Sequence, residues 1–195
     1  MSEAFKFLEQ PAETVAPRLL GCYLERELDG QKLAGKIVET EAYDQTDAAS
    51  HSYRGQTPRT KVMFGPAGHL YVYFTYGMHY CCNIVCGPEG HGSAVLIRAV
   101  EPLAGEEVMA ASRGGVIHSQ LTNGPAKFCQ AFSINKDWNG HDLSQPPLQL
   151  IVQPPLPQTS IVQTTRIGIS EAKEQPWRWF IKGNHFVSKP AAVLA

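Results

Sequence analysis

Residues 37–43 read Ile-Val-Glu-Thr-Glu-Ala-Tyr, which puts two carboxylates and a phenol at alternate positions. Alternate side chains of a strand share a face, so Glu39, Glu41 and Tyr43 fall together, opposite Val38, Thr40 and Ala42. Carboxylates two residues apart lie about 7 Å from each other. Partial burial would then separate their protonation and leave one as a general base toward water. A solvent-facing strand with two ordinary acids fits the same pattern.

A second run, Leu70 to Tyr76 (LYVYFTY), alternates Leu70, Val72, Phe74 and Tyr76 with Tyr71, Tyr73 and Thr75. Tyr76 stands before Gly77-Met78-His79, at the expected tip of a hairpin. An exposed ring and Met78 on a rigid tip suit insertion into a stack of bases. Tyr73, on the other face, suits a stacking platform inside a pocket. Wedge and pocket together make a device for extruding a base; a tyrosine-lined core with one exposed turn residue is the plainer alternative. Gly124-Pro125-Ala126-Lys127 opens a helix with proline near its first position, where free amides and Lys127 would suit a phosphate. Such helix starts are also common without a ligand. Cys81, Cys82 and Cys86 alternate faces on one short run and lack a second pair of ligands, so a metal site is not expected. GPEGHG at 87–92 lacks the spacing of a nucleotide loop, and neither HExxH nor GxSxG occurs.

The elements that must position these groups follow from periodicity and turn residues. Pro11–Leu20 reads as a helix with Gly21 as its C-terminal glycine. Cys22–Leu28 and Leu33–Tyr43 read as strands around an Asp29-Gly30 turn. Residues 44–68 read as loop. Leu70–Tyr76 and Tyr80–Cys86 form the hairpin, and Ser93–Val100 is a further strand. Pro102–Ser112 and Gly124–Phe132 read as helices. Short strands follow at Leu148–Val152, Thr165–Ile169 and Trp177–Ile181. Without βαβ alternation, the class is α+β with a mainly antiparallel sheet.

The 195 residues carry 17 basic and 18 acidic side chains, with 43% hydrophobic and 18% charged residues. That composition excludes a disordered chain or a coiled coil and fits one domain over 1–195. No apolar run approaches the roughly 20 residues of a bilayer crossing. The opening MSEAFKFLEQ lacks an export signal, and five cysteines read as reduced thiols, so a cytoplasmic setting is expected. Charge is unevenly placed. Residues 1–47 hold ten acids and five bases, whereas 48–88 hold no acid, three histidines, Arg54, Arg59, Lys61 and five of the seven tyrosines. Cations interleaved with aromatics suit a polyanion whose bases can stack, although solvated cations beside a tyrosine-rich sheet fit too.

GKIVETEAY, DAASHSYRGQTPRTKVMF, LYVYFTYGMHYCCNIV, VLIRAVEPLAG, LTNGPAKFCQAF and NGHDL occur in that order, followed by Thr165-Arg-Ile-Gly-Ile and Pro176-Trp-Arg. Together they resemble the alkyladenine (3-methyladenine, methylpurine) DNA glycosylase family over nearly the whole chain. The resemblance implies a curved antiparallel sheet with a protruding hairpin, no metal and no cofactor. It also implies a damaged-purine duplex as partner, for which a monomer suffices. It implies Glu41 as general base and Arg98 as a group that helps hold the water and the backbone phosphate. Tyr43, His51, Tyr73, Asn83 and Leu96 would form the base pocket, with Asn83 turning away normal guanine. Tyr76, with Met78, would fill the gap left in the duplex. From the charge distribution and the helix start, Arg54, Arg59 and Lys127 are the expected phosphate contacts. The near-neutral charge and the lack of a long basic N-terminal tail depart from animal members and suit a bacterial setting.

Alkylation at N3 or N7 makes a purine cationic, so it departs as a neutral base without an acid. One carboxylate that deprotonates water and faces an oxocarbenium-like sugar can then suffice. No lysine accompanies Glu41 in the sequence, so water is the expected nucleophile. A non-catalytic binder of damaged DNA and a nucleoside hydrolase using Glu39 with Glu41 remain as alternatives.

Overall fold

The computed structural model of the protein describes residues 3–189. Helix α1 (Ala12–Leu19) buries Ala12, Val15, Ala16 and Leu19 against the sheet. Strands β1 (Tyr23–Leu28) and β2 (Gln31–Tyr43) follow, joined at Asp29 and Gly30, whose φ of 51° and 76° are the left-handed values that a two-residue hairpin turn requires. Next come β3 (Leu70–Thr75), β4 (His79–Val85) and β5 (Ala94–Ala104), then helices α2 (Glu106–Ser112) and α3 (Pro125–Ala131). The short strands β6 (Leu148–Ile151), β7 (Ile161–Thr164) and β8 (Arg178–Ile181) complete the order.

The strands form one eight-stranded sheet in which β3-β4-β5-β2-β1-β6 are neighbours in turn, while β8 joins β2 and carries β7. Every pairing is antiparallel. The architecture is the expected α+β one. The thirteen-residue β2 pairs with β1 over its first half and with β8 at 39–41, so the sheet curls along this strand. The main apolar core gathers Leu19, Leu24, Ile37, Ile84 and Ile97 with Phe128 of α3 and Phe132 at its end.

Two expectations fail locally. The helix read over Pro102–Ser112 is strand as far as Ala104 and starts only at Glu106. Gly105 makes the break: its φ is 78°, and a Cβ there would lie 2.8 Å from the Lys32 carbonyl oxygen. The strand read over Thr165–Ile169 is irregular, and the pairing strand is instead Ile161–Thr164. Past Thr164 the chain leaves the ladder because Arg166 turns into the interior, donating to the Ala42 carbonyl and forming a bidentate pair with Asp47.

Candidate active site

The face shared by Glu39, Glu41 and Tyr43 is real, but Val38 is not opposite it. Register shifts at 37–40 leave Val38 and Arg98 without partners across the β2–β5 ladder. Val38 packs with Ala99 and Phe186, apart from the main core that holds Ile37 and Ala42. This bulge re-aims Arg98 toward the two carboxylates. Its Nε donates to Glu39 Oε1 at 3.1 Å, Nη1 to Glu41 Oε2 at 3.2 Å, and Nη2 to Ser188 Oγ at 3.3 Å. Burial alone would depress the guanidinium, but Glu41 and Glu39 outweigh it and hold it above the ordinary arginine value.

Both acids are fully buried, yet their surroundings differ. Glu41 Oε2 accepts from Arg98 and from Tyr43 Oη at 2.9 Å, and Oε1 accepts from the Ile167 amide at 2.8 Å. Arg98, Tyr43 and Ile167 all line one cavity of about 470 Å³. Glu41 therefore sits one layer beneath that cavity, with an acceptor position on Oε1 uncommitted among the described residues. Glu39 lies behind it. Its Oε1 accepts from Arg98, from Arg178 Nε at 2.7 Å and from Ser188 Oγ at 3.0 Å, and its Oε2 accepts from the Ser188 amide at 2.6 Å. Three donors crowd one Glu39 oxygen and the Ser188 amide takes the other, whereas the partners of Glu41 (Tyr43, Arg98 and Ile167) are themselves cavity walls.

The cavity opens between the β3–β4 hairpin, the end of β2, β5, and the loops at 44–52 and 165–177. Tyr43, His51, Tyr73, Asn83, Leu96 and Arg98 all line it, as does Tyr76. Tyr71, which the sequence reading did not single out, lines it too, with its ring stacked on Tyr73 at 5.6 Å. The clue was present, since residues 71 and 73 share a strand face. His51 stands edge-on to Tyr73 at 4.6 Å, with Nδ1 3.1 Å from Tyr71 Oη. Arg59 Nη2 lies 3.4 Å from His51 Nε2; arginine can only donate, so Nε2 accepts and the ring proton sits on Nδ1. Burial and the nearby Arg59 push the His51 pKa down to about 4, and the ring is neutral near pH 7. Burial and Glu41 likewise push the Tyr43 phenol far above its usual range, so it stays a donor.

Loop 44–52, which presents His51, is tied down at both ends. Ser52 Oγ donates to the Gly92 carbonyl at 2.7 Å, and the Gly92 amide donates to Gln45 Oε1 at 3.0 Å. Only glycine fits at 92, because a Cβ would meet the Phe64 ring at 2.5 Å. Asp47 and Arg166, both missed in the sequence, join this loop to the one carrying Ile167, and the Arg166 guanidinium lies 4.8 Å from the Tyr43 ring.

At the hairpin tip Tyr76 is 82% exposed and Met78 69% exposed. Tyr76 and Gly77 have φ of 51° and 69°, and the Met78 amide donates to Thr75 O at 3.3 Å. A tyrosine in the left-handed region is uncommon and costs about 1–2 kcal/mol. Of the three expected phosphate contacts, Arg54 is exposed and Arg59 covers the His51–Tyr73 edge of the cavity, 5.8 Å from the Tyr73 ring. Lys127 is half-buried and donates to Asn123 Oδ1 at 2.8 Å. All five cysteines are buried free thiols, and among the described residues no three His, Cys, Asp or Glu side chains gather as metal ligands. No helix among them is long and apolar enough to cross a membrane.

An enclosed Glu–Arg–Tyr cluster thus lies under a tyrosine-lined cavity with an exposed aromatic tip beside it, and similarity to known proteins names the class. The family profile described as methylpurine-DNA glycosylase (MPG) matches residues 6–185, and the chain belongs to that family. It is 51% identical over 185 residues to a protein of Carboxydothermus hydrogenoformans titled "Putative 3-methyladenine DNA glycosylase", covering 94% of this chain and 97% of the relative. Proteins of the same title from Methanoculleus marisnigri and Agrobacterium fabrum are 49% and 48% identical, each aligned over 94% of this chain and over 96% and 90% of the relative.

Proposed function

We propose that the protein excises alkylated and deaminated purines from duplex DNA by hydrolysing the N-glycosidic bond, leaving an abasic site. The substrate class is 3-methyladenine, 7-methylguanine, hypoxanthine and ethenoadenine. One observation carries the reading: every partner of the Glu41 carboxylate is also a wall of the aromatic cavity.

In this reading the damaged nucleotide swings out of the helix, at a cost of a few kcal/mol that is lowest for weakened pairs. Tyr76 fills the vacated space, with Met78 beside it. The extruded purine lies between Tyr43 and the Tyr73–His51 pair, with Leu96 and Asn83 at its edge; Asn83 turns away guanine through its exocyclic amine. A neutral His51 sets no positive charge against a cationic base, and the tyrosine faces favour one. Glu41 Oε1 accepts a proton from the attacking water, while Tyr43 and Arg98 hold Oε2. Arg98 has five N–H groups and among the described residues uses three on Glu39, Glu41 and Ser188, which leaves two for water or backbone phosphate. As the C1′–N bond breaks, the purine keeps the bonding pair and the buried carboxylate faces the developing positive sugar. Arg54, Arg59 and Lys127 supply the phosphate contacts. Water is the nucleophile in this reading, and no lyase step follows.

The test is a set of duplexes each carrying one lesion, scored for abasic-site formation. Glu41→Gln is expected to lower single-turnover excision by at least about a thousandfold while lesion binding stays within a few-fold. Undiminished excision would remove Glu41 from the mechanism. Borohydride trapping should yield no covalent protein–DNA adduct.

A further inference from the structure

The second acid of the β2 strand has no place in the chemistry above, yet it is the most heavily coordinated carboxylate among the described residues. Glu39 touches Arg98, Arg178 and both polar groups of Ser188, and Arg178 Nη2 in turn donates to the Lys189 carbonyl. The four charged side chains Glu39, Glu41, Arg98 and Arg178 are all buried and balance to zero. Removing one member leaves an unmatched charge in a water-poor interior. Arg98 is held at three different nitrogens, and two of those holds come from the Glu39–Ser188 side. Because Arg98 falls on a bulge, ladder hydrogen bonding does not fix its backbone there.

We propose that Glu39 is a positioning residue: with Arg178 and the C-terminal segment at Ser188 it forms a charge-balanced clamp. The clamp fixes the Arg98 fork against Glu41 and so sets the readiness of Glu41 to take a proton. This rests on the reading of Glu41 as the base. The groups facing Glu41 are Arg98 from β5, Tyr43 and Glu39 on its own strand, Arg178 across on β8, Tyr73 from β3 and the Ile167 amide. Neutralising Glu39 leaves two guanidiniums facing one carboxylate. The ionised form of Glu41 is then favoured, its hold on a proton weakens, and Arg98 loses the contact that orients its Nε.

The experiment compares wild type, Glu39→Gln, Glu39→Asp, Ser188→Ala and Glu41→Gln on a duplex with one 7-methylguanine, a cationic lesion whose departure needs no acid. For Glu39→Gln, single-turnover excision should fall about ten- to a hundredfold with lesion binding within about twofold. The acid limb of its pH–rate profile should move down by about half a pH unit or more. Glu39→Asp should recover the position of the limb and part of the rate. Ser188→Ala, which keeps every charge, should lower the rate about two- to fivefold without moving the limb, and it decides the orientation half of the proposal should Glu39→Gln fail to fold. Rate and binding lost in parallel with an unmoved limb would make Glu39 merely structural and overturn the clamp, as would an unchanged rate in Ser188→Ala. If Glu41→Gln still excises, the base assignment itself fails. If Glu41→Gln is inactive while Glu39→Gln matches wild type, only the clamp fails.

Discussion

At the scale of single residues, similar side chains serve different ends according to what surrounds them. Glu39 and Glu41 are two residues apart and equally buried, yet one is closed in by donors and the other lies one layer beneath the cavity, held by three of its wall residues. His51 shows the same dependence on surroundings. Desolvation and Arg59 lower its pKa from 6.5 to about 4, so the folded state resists a proton that the unfolded chain accepts. The linkage has a definite sign. The neutral ring's contribution to stability is fully present above about pH 6.5 and is lost as pH falls toward about 4. Urea melts of wild type and His51→Gln from pH 7.5 to 4.5 should show the wild type losing stability relative to the variant below pH 6.5. The effect is small, since the ring edge is exposed. A difference between the two that stays constant with pH would contradict the neutral assignment.

The hairpin is an element whose local strain serves its position. Tyr76 is 82% exposed, so its ring gains little from packing, while its φ of 51° disfavours a residue with a β-carbon. Strain therefore outweighs contact. Tyr76→Asn, a residue that tolerates this conformation, should raise stability by about 0.5–1 kcal/mol, read as a melting temperature about 2 °C higher. The same change should weaken lesion excision under the proposed mechanism, because a small polar side chain cannot fill a gap in a base stack. A protein stabilised but impaired would separate the tip's task from folding. Unchanged excision would take Tyr76 out of the extrusion step.

Across the whole molecule, what the sequence revealed was whatever repeats locally. Alternation placed Glu39, Glu41 and Tyr43 on one face, the Asp29-Gly30 turn gave the first hairpin, and LYVYFTY gave the second. What it concealed depends on partners far along the chain. Val38 leaves its expected face because of a bulge against β5 and Phe186. Thr165–Ile169 alternates as a strand would, but Arg166 answers to Asp47, 119 residues away. That ion pair joins the two loops that wall the cavity, and both side chains are buried. Arg166 Nε lacks a partner among the described residues, so its guanidinium leans heavily on Asp47. Asp47→Ala would leave a buried cation unmatched and is expected to cost about 3–5 kcal/mol in chemical denaturation. Removing both charges, as Asp47→Ala with Arg166→Met, should recover a substantial part of that loss, because most of the penalty belongs to the stranded charge and not to the lost attraction. The recovered stability should not restore excision, since Tyr43 and the Ile167 amide would lose the anchor that sets them around Glu41. A single-variant loss below about 1 kcal/mol would mean that the loops hold their places without this tie.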